Sequence, residues 1–568
     1  MFKSYFKIAF RNLARNKIYS FINIAGLSIG LACAMLIMLY IKDEVSFDRF
    51  HKNVKNIYRI VSTEKENGKE NKNPYTGFLQ GPRFTKNVPG IKSFVRVKIG
   101  REDIKNGTEV QSQDLLRVDS SFFSIFSFQL LSGNYKTCLT EPHSIVLSED
   151  AAEKQFGTTE AIGKIVMVKE DNIFVPYKVT AVAKRSPQNS SIQFDVLLPF
   201  KESDADAKNN DNWFNSDLNT FVVLDDKANL QAVEKQMQNF FIADAKPSDE
   251  MISTYYLQSY LNMHLNTDLP ARNGLTNASN PVYSYILTGI ALFVLLIACI
   301  NFIDLTVARS IKRAKEIGIR KVVGGSRKQL IVQFLGESFF LCTIAFVLAI
   351  ALVQLLLPLF NNVANKALSL SYLFDAKLVA GYVILYIITG LLAGFYPALV
   401  LSGYNPVKTL YNRLQIAGKN YLQKFLVVVQ FTLASFLIIA TFIIYRQFNF
   451  LTKADLGYDD NNLVIVNKCS LKHTDPAVFK NELMKNHGIV GVSADYHGSS
   501  VEKFGPRIVV ISDADSIEYQ SEIVDEDYLP LLKIPLIAGR NFSPAFPADS
   551  TRSVIVNESY VKAKNWEN

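Results

Sequence analysis

Three features of the 568-residue chain have residue types at spacings that could support catalysis, nucleotide binding or metal binding. Gly26-Leu27-Ser28-Ile29-Gly30 has the G-x-S-x-G form of a serine nucleophile elbow. That chemistry needs a sharp strand-to-helix turn exposing the hydroxyl, and here the pattern sits inside an uncharged run long enough to cross a bilayer. The same residues read as G-x-x-x-G, so Gly26 and Gly30 are assigned to a small-residue face for close packing of membrane helices. Gly157 to Lys164, GTTEAIGK, approaches a phosphate-binding loop, but it has five residues between its glycines instead of four, and Ile165 where a Ser or Thr would reach magnesium. A loop between a helix and a strand is expected there. The six histidines, His51, His143, His264, His473, His487 and His497, form no H-E-x-x-H and no Cys/His cluster. No catalytic residue, cofactor site or metal site is therefore expected.

The elements around these residues are set by where the apolar residues gather. The chain is 49% hydrophobic with a mean hydropathy of +0.11, and its apolar residues come in blocks of about twenty or more, the length a bilayer core demands. Five spans are expected, at 18–41, 282–306, 330–360, 378–401 and 425–446, with Pro397 kinking the fourth. Residues 1–17 place Phe2, Phe6, Phe10 and Leu13 on one face and Lys3, Lys7 and Arg11 on another, as an interfacial amphipathic helix does. The first span is retained, because no small-residue cleavage site precedes Asp43-Glu44. The formal charge of +9 comes largely from bases beside the spans, so topology accounts for it and nucleic-acid binding is set aside. Cys33, Cys299 and Cys342 lie in apolar runs, leaving Cys138 and Cys469, which make no disulfide framework.

Residues 42–281 change to soluble-type sequence. Strands are predicted at 57–61, 94–97, 144–147, 175–182 and 221–224, and helices at 150–156 and 230–241, with an Asn/Asp-rich surface loop over 203–217. This is an α+β domain in two lobes. A second such domain occupies 447–568, since VDSSFFSIFSFQLLSGN from Val118 aligns with VDEDYLPLLKIPLIAGR from Val524, and SIVLSEDAAEKQFG from Ser144 with SVIVNESYVKAKNW from Ser553. That copy stops in mid-domain at Asn568 and is read as incomplete, the chain being a fragment. The fold class is an α-helical membrane protein with α+β extracytoplasmic domains, about five membrane helices and a truncated second repeat.

Between the second and third spans, residues 307–329 hold Arg309, Lys312, Arg313, Lys315, Arg320, Lys321, Arg327 and Lys328 against one acid, Glu316. Such an excess marks a cytoplasmic loop; the 402–424 loop, with Lys408, Arg413, Lys419 and Lys424, is a second. The N-terminus is then cytoplasmic and the large domains lie outside. Ile311, Ala314, Gly318 and Val322 recur at helical spacing, Glu316 precedes Arg320 by four, and Gly324-Gly325 ends the helix. Ser326 and Gln329 have capping-box spacing, so a short amphipathic helix and a new helix start form a hairpin. Two readings compete: an orientation signal held on anionic membrane lipid, or a docking surface for a protein. Gly318 inside the helix and exposed Ile317 and Ile319 favour docking. Glu337 stands about two turns into the third span, either paired with Arg327, Lys328 or Arg309 or serving as an intramembrane polar site.

The segments ARSIKRAKEIGIRKVVGGSRKQLIVQFLGES and RNLARNKIYSFINIAGLSIGL resemble the coupling region and first membrane helix of FtsX/MacB-type ABC transporter permeases. The resemblance implies a non-enzymatic inner-membrane subunit with a MacB-like periplasmic core domain and no cofactor, forming a dimeric assembly. It implies binding of a separate ABC ATPase of the MacB/LolD kind, whose hydrolysis is relayed outward for export, efflux or release of a substrate. The ATPase-coupling residues it implies are Arg313, Lys315, Glu316, Ile317, Gly318, Ile319, Arg320, Lys321 and Gly324. An FtsX-like regulator of a cell-wall hydrolase in division, without transport, is the alternative, and a receptor without an ATPase is a third. Duplication of the outside domain favours transport.

Overall fold

The computed structural model describes residues 17–66, 69–107, 109–170, 173–200, 212–214, 216–247, 253–269, 274–276, 278–324, 326–369, 375–402, 421–455, 457–466, 476–494, 507–512, 515–519, 523–564 and 566. In chain order, α1 (Lys17–Val45) leads into β1 (Ile57–Glu66), β2 (Lys69–Asn73), α2 (Gln80–Asn87), β3 (Ile91–Asn106), β4 (Glu109–Val118), α3 (Phe122–Ile125), β5 (Leu130–Gly133), β6 (Ser144–Ser148), α4 (Glu149–Phe156), β7 (Ile165–Glu170), β8 (Ile173–Ala183), β9 (Val196–Pro199), β10 (Asn219–Leu224), α5 (Leu230–Ala245) and β11 (Ser253–Ser259). Four long helices follow, α6 (Pro281–Val322), α7 (Arg327–Ala364), α8 (Ala376–Ser402) and α9 (Tyr421–Lys453). The remainder holds α10 (Pro476–Leu483), β12 (Arg507–Ser512), β13 (Asp515–Tyr519), α11 (Tyr528–Leu531), α12 (Asp549–Arg552) and α13 (Glu558–Ala563). Residues 1–16 of the expected interfacial helix over 1–17, and most of the expected loops at 203–217 and 402–424, lie outside the described residues, while Lys17 opens α1.

Two compact units emerge: 1–100, 114–166 and 176–444 form the first, and 101–113, 167–175 and 445–568 the second. In the first unit, α1, the first part of α6 (Pro281–Ala308), α7 and α8 are long and apolar enough to cross a membrane, as is α9. Leu27, Leu31 and Met35 of α1, Leu295, Cys299 and Phe302 of α6, Cys342, Ala345 and Ala349 of α7, and Tyr382 and Ala393 of α8 form one buried cluster. The small residues Cys, Ala and Gly let these backbones approach, which in lipid replaces the hydrophobic drive of a water-soluble core. By contrast α9 has no buried residue; its Phe436 ring meets Phe293 of α6 edge-on at 6.1 Å.

Between α1 and α6 the strands join one sheet in the order β11-β1-β10-β3-β4-β9-β6-β8-β5, with β2 on β1, and β7 pairing β3 and β8. Pairing is mixed, with β4–β9 and β6–β8 parallel. Successive residues of β10 point to opposite faces. Phe221 thus joins a core with Phe122, Phe126, Phe128 and Tyr260. Its neighbour Val222 joins Phe84, Trp213, Met237, Phe241 and Tyr255 on the other side. The two expected lobes are therefore two cores on one sheet, covered in part by α2 and α5. Gly157, at φ 68, closes α4 in the left-handed conformation, and GTTEAIGK is the loop from α4 to β7.

The chain leaves α1 through a turn at Asp48, whose φ of 60 is tolerated by a short polar side chain. Its buried carboxylate accepts from Ser191 N at 2.8 Å and Ser191 Oγ at 2.6 Å. Stretches aligned in the sequence share local geometry. Asp119 Oδ2 accepts from Arg96 N at 2.7 Å before α3, and Asp525 Oδ2 accepts from Ala494 N at 2.9 Å before α11. Gly133 and Gly539 both have positive φ, and Ser148 and Asn557 cap α4 and α13 through their side-chain oxygens.

Candidate coupling site

The basic segment between the second and third spans is not a separate short helix: α6 runs unbroken for 42 residues, from Pro281 to Val322. At 1.5 Å per residue that is about 60 Å, roughly twice the thickness of a bilayer core. The expected boundary near residue 306 is absent because the segment has no proline and is rich in Lys and Arg, which are good helix formers. Its single Gly318 costs only about 1 kcal/mol, which continuous hydrogen bonding on both sides outweighs. Asn280 caps the start, its side chain accepting from Val282 N at 2.9 Å, with Pro281 at the first position.

The helix stops where the chain can turn left-handed. Val323 N bonds Ile319 O at 3.0 Å, and Gly324 adopts φ +100. Ser326 and Gln329 then form a reciprocal capping box, Gln329 N to Ser326 Oγ at 3.3 Å and Ser326 N to Gln329 Oε1 at 3.1 Å, which starts α7. Ile319, Val322 and Val323 are exposed there. Arg313, Lys315, Glu316, Ile317, Gly318 and Arg320 lie on the last turns of α6, and their side chains, with the expected Glu316–Arg320 pair, lie outside the described ones.

Two cations of this hairpin hold the end of α8. Lys321 Nζ donates to Ser402 O at 2.6 Å and Arg327 Nε to Ser402 Oγ at 3.4 Å, so positive charge meets the carbonyl end of the helix, where the backbone dipole is negative. Burial, with the neighbouring Arg327 charge, pushes the Lys321 pKa down. Sequence reasoning missed Ser402, because the contact joins residues 81 positions apart. Nearly two and three turns into α7, Gln333 Nε2 donates to Glu337 Oε1 at 3.2 Å, and Arg327, one of the three cations expected as partners of Glu337, lies against Ser402.

Helix packing positions this hairpin. A Cβ on Gly30 would come within 3.0 Å of Ala298 Cβ, and one on Gly26 within 3.7 Å of Asn301 Nδ2, so both face α6. Ser28 Oγ is bonded to Ile24 O at 2.6 Å inside the helix, as a structural serine is. Gly390 and Gly394 of α8 lie against Phe339 and Ser338 of α7, where a Cβ would approach to 2.5 and 2.8 Å. Their G-x-x-x-G spacing, GLLAG, was a readable signal. His51 is buried, accepts from Ser127 N at 2.9 Å, and is pushed by burial to a pKa of about 3, so it packs as a neutral ring. Among the described residues no group of three or more His, Cys, Asp or Glu could hold a metal ion.

The sequence matches the MacB-like periplasmic core domain over residues 20–240 and the FtsX-like permease C-terminal domain over residues 288–406. Among curated proteins it is similar to the uncharacterized ABC transporter permease YvrN of Bacillus subtilis, 22% identical over 71% of this chain and 98% of that one. It is also similar to the pyoverdine export ATP-binding/permease protein PvdT of Pseudomonas savastanoi, 22% identical over 57% of this chain and 46% of that protein. With the macrolide export ATP-binding/permease protein MacB of Pasteurella multocida it shares 23% identity over 52% of this chain and 42% of that one. The matched part thus spans less than half of PvdT and of MacB. With a periplasmic core domain followed by a permease domain, the chain belongs to the FtsX/MacB-type ABC transporter permeases.

Proposed function

We propose that this permease is a mechanotransmission subunit: a separate ABC ATPase docks at the inner end of α6, and its cycle moves the extracytoplasmic domain to export or release a substrate. The observation that carries this reading is the continuity of α6. One helix of about 60 Å joins the edge of the sheet domain at Pro281 to the basic hairpin at Val322, so displacement at one end moves the other without an intervening joint. Exposed Ile319, Val322 and Val323 offer apolar surface for the ATPase, and the Lys321 and Arg327 ties to Ser402 couple the same hairpin to α8. In this reading Arg313, Lys315, Glu316, Ile317, Gly318, Arg320 and Gly324 complete the docking surface, the membrane is the inner membrane with the N-terminus cytoplasmic, and the assembly is dimeric. A relay of this kind requires the ATPase to bind two helix arrangements unequally; a tenfold difference corresponds to about 1.4 kcal/mol.

The test is capture of the ATPase by membrane-inserted variants. Gly318→Trp and Ile317→Asp should reduce capture at least tenfold, while Lys312→Gln with Lys315→Gln should reduce it less. A lipid-anchored loop gives the opposite order, since each Lys near an anionic surface contributes about 1 kcal/mol and an exposed isoleucine contributes little. That order would remove docking from the account.

A further inference from the structure

α1 and α6 continue into the sheet domain through the chain itself, whereas α7 and α8 are joined to each other at their outer ends and reach the domain by contact. The polar part of that contact converges on Asp43 and Glu44, at the end of α1 and almost fully buried. Asp43 is shared between the two sides: its Oδ1 accepts from Gln188 Nε2 of the sheet domain at 2.9 Å, and its Oδ2 from Lys366 Nζ, just past α7, at 2.9 Å. Lys366 also donates to Glu44 Oε1 at 2.6 Å. The other Glu44 oxygen lies 3.4 Å from His264 Nε2, and His264 stacks on Phe47 at 3.4 Å, with its carbonyl accepting from Ser279 N just before α6. Lys42 pairs with Asp375 at 2.8 Å beside the start of α8.

On the domain side the same turn is held by a short segment. Asn189 Nδ2 donates to Ser46 O and Oγ at 3.1 and 2.9 Å, Asp48 N donates to Asn189 O at 2.9 Å, and Ser191 closes on Asp48. Burying charges in this way seldom adds stability over apolar packing of the same volume, and its best-attested use is to fix one arrangement. Lys366 has little freedom left: two carboxylates hold its ammonium, which also sits 5.0 Å from the Phe47 ring centre.

We propose that Lys366, clamped between Asp43 and Glu44, is a positioning residue through which displacement of α7 and α8 enters the extracytoplasmic domain by way of Gln188 to Ser191. The inference rests on reading this chain as a permease whose helices move, and not on an ATPase docking at the other end of α6. The experiment therefore uses the full chain alone in lipid nanodiscs, with spin labels carried by unnatural amino acids at Lys184 of the domain and Lys377 of α8, both exposed. The wild-type joint gives one narrow distance distribution. Replacing the whole cluster with neutral near-isosteres, Asp43→Asn, Glu44→Gln and Lys366→Met together, leaves no unpaired charge behind and should widen it at least twofold. Lys366→Arg, which can still reach both carboxylates, should keep it narrow. A triple variant as narrow as the wild type overturns the proposal, and so does Lys366→Arg as broad as the triple variant.

Discussion

Asp48 offers a quantitative test of how tightly the end of the first membrane helix is sewn to the extracytoplasmic domain. Burial pushes its pKa from 3.8 up to about 6, against the opposing pull of the Ser191 hydrogen bonds. A raised carboxyl pKa means that protonation favours the fold: the contribution is complete below pH 3.8 and is lost as pH rises through 6. The full difference is about 3 kcal/mol, of which roughly 1 kcal/mol falls between pH 7 and pH 5. Asp48→Asn removes the charge, keeps the left-handed turn that asparagine tolerates, and can still accept from Ser191 N while donating to Ser191 Oγ. Thermal unfolding of the full chain in nanodiscs, followed by the fluorescence of buried Trp213, reads the effect. The wild-type midpoint should rise by about 3 °C more than that of Asp48→Asn on going from pH 7 to pH 5, and Asp48→Asn should equal or exceed the wild type at pH 7. Parallel pH profiles for the two proteins would refute the assignment of a buried, charged Asp48.

Two further outcomes follow from packing and from the cationic clamp. Gly394→Leu forces a side chain against Ser338 Cβ, which cannot retreat from its own backbone, and should lower stability in detergent by about 1–3 kcal/mol, while Gly289→Leu and Gly336→Leu, which meet open space, should be near neutral. Lys321→Met removes the cation from the end of α8 and should speed amide exchange over residues 398–402 by about two- to fivefold, the equivalent of roughly 0.5–1 kcal/mol; Ser402→Ala, which keeps the backbone carbonyl, should do less.

Much of this architecture could be read from local sequence. The five apolar runs became five long helices because run length against bilayer thickness is a strong signal. β1, β6, β8 and β10 were legible from their apolar content, and the Ser326–Gln329 box from its spacing. β4, EVQSQDLLRV, was not, since its first half is mostly polar and at most half-buried, so it lacks the apolar alternation that marks a strand. The unbroken α6 was misread because a change from apolar to basic residues and a glycine look like a boundary, although neither removes a backbone hydrogen bond. The cluster of Asp43, Glu44, His264 and Lys366 joins residues up to 323 positions apart, and no local pattern brings them together.

The central claim is that α6 carries motion as a single rigid element, and interrupting it is the direct test. Two glycines inserted between Arg309 and Ser310 would add about 3 Å and 200° of rotation and weaken the helix at that point. In the full chain reconstituted with the ATPase that the proposed function requires, addition of ATP should change the distance between labels at Lys184 and Lys377 in the wild type. The insertion variant should capture the ATPase to the same extent and show no such change. An undiminished ATP-dependent change across a broken α6 would contradict the account.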